Sequence, residues 1–69
     1  MIKTLKRGEQ MQGLIKKRKE RKLTQKQLAE MVGVKQHTVC GWENGNRQPN
    51  FEKLKKLSKI FKCNIDDLL

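Results

Sequence analysis

Few side chains in this chain could do covalent or metal chemistry, and their spacing rules most of it out. There is one histidine, His37, and there are two well-separated cysteines, Cys40 and Cys63. No Ser/His/Asp triad, Cys/His pair or zinc-ligand spacing can be assembled from that set, so no enzymatic activity, metal site or cofactor is expected. Both cysteines read as free thiols, Cys63 in the core and Cys40 near a helix surface. The chemistry that remains is polar and electrostatic binding. Lys and Arg number 17 against 7 acids, a net charge of +10, which favours a polyanion as partner through counterion release. Charge alone does not choose between DNA, RNA and an anionic membrane. With one Trp, two Phe and no Tyr in 69 residues, the chain can build one small core, and a large substrate pocket is not expected. No stretch approaches the roughly 18 to 20 apolar residues of a membrane span, and Met1 to Gln10 lacks the apolar centre of a signal peptide. A cytoplasmic protein without a membrane partner is the expectation.

The elements that must position these groups can be read from spacing. Between Gln25 and Trp42 the chain runs QKQLAEMVGVKQHTVCGW. Leu28, Ala29 and Val32 fall at helical spacing on one face, Gly33 interrupts, and Val39 and Trp42 recur three apart on a second helix. Ala29 is small enough for two helices to cross closely, Gly33 can take the positive φ of a sharp turn, and Val34 and Val39 fill the angle between the helices. That pattern is a helix-turn-helix, which makes DNA the leading partner. Thr24 and Gln27 form a capping-box signal for helix 2, which ends at Val32, and helix 3 is expected over Gln36 to Asn44, closed by Asn44-Gly45. Helix 1 is expected from Glu9 to Lys22, with Met11, Leu14, Ile15 and Arg18 inward. Asn50 caps a fourth helix with Phe51, Leu54, Leu57, Ile60 and Phe61 in register, its lysines at 53, 55, 56 and 59 forming a solvated face. Asn64 caps a last short helix with Asp66 and Asp67 in its first turn and Leu68 inward. The expected fold is all-α, a compact bundle of five short helices over residues 9–69. Residues 1–8 read as a basic arm, either a solvated tail or one that lies along DNA.

The run LTQKQLAEMVGV, then WENG, PNFEKLKKLSKIF and NIDDLL, resembles the lambdoid phage repressor and Cro family, also called XRE-type helix-turn-helix. The resemblance covers about Met11 to Leu69. It implies a lambda repressor-like DNA-binding domain whose third helix enters the major groove, a homodimer at least on DNA, and a transcription regulator, most often a repressor. Carried over to this chain, it puts base-reading side chains at Gln36, His37 and Thr38, with Cys40 and Gly41 also facing outward. Gln36 can bond both edges of an adenine, and His37 can donate to a guanine or contact a phosphate. Gln25, Lys35, Asn44, Arg47 and Asn50 then face phosphates, the first and last helped by helix N-termini. Arg18 matches a family arginine that meets the glutamate of WENG, here Glu43, and is held where it can also face the DNA backbone. Ala29, Gly33, Val39, Trp42 and Glu43 are structural.

Three positions depart from the family pattern. Gly41 stands where many members carry a polar reader, Cys40 is an uncommon reader, and Lys62 replaces the glycine that usually ends helix 4. Two other readings are open from the sequence: an antitoxin-type protein-interaction module with secondary DNA binding, and non-specific binding of RNA or anionic lipid by the lysine-rich helices.

Overall fold

A computed structural model describes residues 9–69; the basic arm expected over 1–8 lies outside these residues. The described residues form four α-helices, α1 (Gln12–Glu20), α2 (Gln25–Val32), α3 (Gln36–Asn44) and α4 (Phe51–Phe61), and a 3-10 helix at Ile65–Leu68. The all-α class expected from the sequence is the one observed, with the fifth helix a single 3-10 turn. α2 packs on α3, α4 packs on α2 and on the 3-10 helix, and α1 lies against α3 and the 3-10 helix. Met11, Leu14, Leu28, Val32, Val39, Trp42, Leu57, Phe61 and Leu68 fill the space between them.

Local rules set the helix-turn-helix. Gln27 N–H donates to Thr24 Oγ1 at 3.0 Å and Thr24 N–H to Gln27 Oε1 at 2.8 Å, the reciprocal capping box. Gly33 takes φ +89°, and its N–H and that of Val34 both close on the Ala29 carbonyl. Only glycine does this without strain. α3 therefore starts three residues after the turn and runs over the expected span, ending at Gly45 in the left-handed region.

Elsewhere the outcome differs from the pattern. α1 is shorter than Glu9 to Lys22 at both ends. Met11, expected inside the helix, is its buried N-cap, and Lys22 adopts φ +56°, with Leu23 N–H closing back on the Arg18 carbonyl at 3.1 Å. Leu14 is buried as expected, while Ile15 and Arg18 are half-buried. On α4, Leu57 and Phe61 are buried, Leu54 and Ile60 pack at the edge, and Phe51 is 63% exposed. The reason is angular: at 3.6 residues per turn, position 51 lies roughly 100° from the mean direction of 57 and 61. The Phe51 ring instead lies 5.4 Å from Lys55 Nζ, a cation–π contact at the surface.

The lysines of α4 are not simply solvated. Lys56 Nζ donates to the Val32 carbonyl at 2.9 Å, satisfying the C-terminal end of α2. Lys62 adopts φ +52° and closes α4 as a glycine would, with Cys63 N–H on the Ser58 carbonyl at 3.0 Å. Gly13 permits α1 to touch the 3-10 helix: a Cβ there would overlap the Asp67 carbonyl oxygen. Asp67 Oδ2 in turn accepts from Asn64 N–H at 3.2 Å.

Candidate nucleic-acid interface

α3 has two unlike sides. Val39 and Trp42 on its inner side are buried, and beside them Glu43 is 6% exposed. A buried carboxylate must be paired. Arg18 Nε donates to Glu43 Oε2 at 2.6 Å and Arg18 Nη2 to Oε1 at 3.1 Å, a two-pronged pair between α1 and α3. Arg18 Nη1 donates to the Leu23 carbonyl at 2.8 Å, and Gln25 Nε2 completes Glu43 Oε1 at 3.0 Å. No buried side-chain nitrogen or oxygen among the described residues lacks a partner. The network joins the end of α1, the start of α2 and the middle of α3, so it sets how far α3 stands out of the bundle.

The outer side is open. Gln36, His37 and Asn44 are exposed, Cys40 is half-buried, and they line one broad concavity together with Gln25 and Arg47. Asn44 Nδ2 lies 3.7 Å from Cys40 Sγ as a weak donor, and its Oδ1 accepts from Asn46 N–H at 2.9 Å, which shapes the turn after α3. Lys35, in extended conformation, is the N-cap of α3 and supplies no side-chain cap, so side chains leave the first N–H groups of this helix uncovered.

The expected site residues are thus divided among three places. Gln36, His37, Cys40, Asn44 and Arg47 share the concavity. Thr38 lies on the other flank of α3, in a cleft shared with Val34, Trp42, Asn50 and Lys53. Arg18 belongs to the inner network, with three nitrogens of its guanidinium engaged, and the Gln25 amide bridges network and concavity. Asn50 caps α4 through Oδ1, which accepts from Lys53 N–H at 2.9 Å. Gly41 is buried, and the Arg47 stem covers it. Sequence reasoning missed that cover. Its signal was a glycine in mid-helix with an arginine six residues on, across a tight turn.

Cys63 packs at the core edge and Cys40 on the α3 surface, both free thiols as read from the sequence. Burial pushes the Cys63 thiol pKa up, and Asp67 adds to this while Lys17 and Arg21 oppose it. No group of three or more His, Cys, Asp or Glu among the described residues could hold a metal ion, and no described helix is long and apolar enough to cross a membrane.

A crossed helix pair, a turn held by a left-handed glycine and a polar outer face on the second helix define a helix-turn-helix protein. A helix-turn-helix family model matches residues 14–68, and the chain belongs to this XRE-type family. It is 49% identical over 47 residues to the HTH-type transcriptional activator BcrR of Enterococcus faecalis, across 68% of this chain and 23% of that protein. It is 42% identical over 53 residues to Repressor protein C2 of Salmonella phage P22, across 77% of this chain and 24% of that one. The chain thus spans about a quarter of the length of these two curated relatives. Among solved structures, it is similar to the restriction-modification controller protein C.AhdI from Aeromonas hydrophila, with a TM-score of 0.74 and 28% identity over 84% of each chain.

Proposed function

We propose that this chain is the DNA-binding part of a sequence-specific transcription regulator that inserts α3 into the major groove of double-stranded DNA. The observation that carries the reading is the contrast across α3: a hydrogen-bonded Arg18–Glu43–Gln25 network behind the helix and an open polar face of Gln36, His37 and Asn44 in front of it. A helix held by buried bonds presents its outer side chains in one register, which base reading requires. Lys35 and the first N–H groups of α3, which no side chain caps, suit phosphate oxygens, as do the net charge of +10 and Lys53 beside the cleft. The relatives supply the biological class, transcriptional regulation, under names that include both an activator and a repressor.

The operator follows from the partner count. Two copies joined through the end of the bundle, where Ile65 and Leu69 are half-buried, would place two α3 helices about one DNA turn apart. The reading therefore includes a homodimer on an inverted repeat. Selection of bound duplexes from a random pool at about 150 mM salt tests it, because specificity is meaningful only at a stated ionic strength. The expected product is an inverted repeat with half-sites about ten base pairs apart. A pool that stays flat contradicts the reading.

A further inference from the structure

Position 41 lies on the outer side of α3, between His37 and Thr38 around the helix axis, and is nevertheless buried. Arg47 covers it. A Cβ placed on Gly41 would stand 2.9 Å from both Cγ and Cδ of Arg47 and 3.2 Å from its Cβ. The Arg47 backbone is anchored at the same place, since its N–H donates to the Gly41 carbonyl at 3.0 Å. Left-handed Gly45 turns the chain back over the helix, and the bond from Asn46 N–H to Asn44 Oδ1 at 2.9 Å tightens that turn. An arginine stem is thereby laid over the one position of the reading face that has no side chain of its own.

We propose that Arg47 is a base-reading residue, supplying from the loop the side chain that α3 lacks at position 41, with a guanine as its target. The proposal rests on α3 being the helix that enters the groove. The guanidinium fork matches the N7 and O6 acceptors that guanine shows in the major groove, and no other base presents that pair. Arg47 is exposed and borders both the concavity of Gln36 and His37 and the cleft that holds Thr38, so it stands between the two flanks of the helix. A stem already laid against the helix loses less freedom on binding than a free one. A contact to phosphate alone would not require this arrangement. A solvated arginine on any residue type at 41 would serve, whereas glycine is unfavourable inside a helix and stands here in the place where a methyl group would displace the stem.

The test measures binding of the whole chain to its selected duplex and to duplexes changed at each position, for the wild type, Arg47→Lys, Arg47→Ala and Gly41→Ala. The expected result is one guanine whose preference falls roughly ten-fold or more in both Arg47 variants while the other positions keep theirs. Gly41→Ala should lose the same preference, because its methyl displaces the stem, and a denaturation curve recorded alongside separates this from loss of the fold. The Gly41→Ala/Arg47→Ala pair should then be no worse than either change alone. Arg47→Lys keeping every preference, with Arg47→Ala weakening all duplexes alike, would make Arg47 a phosphate contact and overturn the proposal. A wild-type chain that selects no sequence would overturn the reading of α3 as well, and the two failures are told apart by whether a site emerges at all.

Discussion

The two sides of α3 are built on opposite terms. Behind it, Arg18, Gln25 and Glu43 exchange hydrogen bonds of 2.6 to 3.1 Å, with the Arg18 and Glu43 side chains 13% and 7% exposed. In front of it, Gln36 and His37 are exposed on an open surface. Polar residues therefore do two jobs around one nine-residue helix. Those behind set where the helix stands, and those in front remain available to a ligand. Burial, not residue type, tells the two sets apart.

Substitutions on each side should separate along that line. The largest effect is expected behind the helix: Glu43→Ala leaves the Arg18 guanidinium unpaired in a largely buried place and should destabilise the fold by about 3 to 5 kcal/mol, read by urea or thermal denaturation. A loss below about 1 kcal/mol, the range of exposed ion pairs, would mean that the network is solvated and the contrast is not real. In front, Gln36→Ala should leave the midpoint of denaturation unchanged and weaken binding to the selected duplex by about 1 to 3 kcal/mol, with relaxed preference at one base position. Lys35→Ala is expected to act more weakly and without regard to sequence. It should reduce the salt slope of binding by about 1 on every duplex. The smallest effect lies away from both sides: Lys62→Gly removes a side chain from a left-handed position and should raise stability by at most about 1 kcal/mol without altering DNA preference.

How much of this was legible in the sequence depended on whether a feature is settled by neighbours in the chain or by neighbours in space. Thr24 with Gln27, Gly33, and the span of α3 follow from capping and turn chemistry acting over three or four residues, and all are found as expected. The ends of α1 did not follow, because no capping side chain marks them; Lys22 takes a left-handed conformation its type disfavours, and Leu23 N–H closes on the Arg18 carbonyl. Phe51 looked like core by hydrophobicity, yet its angle around α4 sends it to solvent. The Arg18–Glu43 pair was expected through family resemblance, since nothing local connects residues on two different helices. Arg47 over Gly41 was not legible at all. It depends on how the loop after α3 folds back, and the sequence shows only an arginine beyond a turn.

The central claim is that the inner face of α3 positions and the outer face reads. The most direct test measures binding of the wild type and of the paired variant Gln36→Ala/His37→Ala to the selected duplex and to a scrambled one, at about 150 mM salt, with denaturation of both proteins alongside. The account predicts that the paired variant melts like the wild type, binds the scrambled duplex equally well and loses most of its preference for the selected one. An equal loss on both duplexes, or no loss on either, would contradict it.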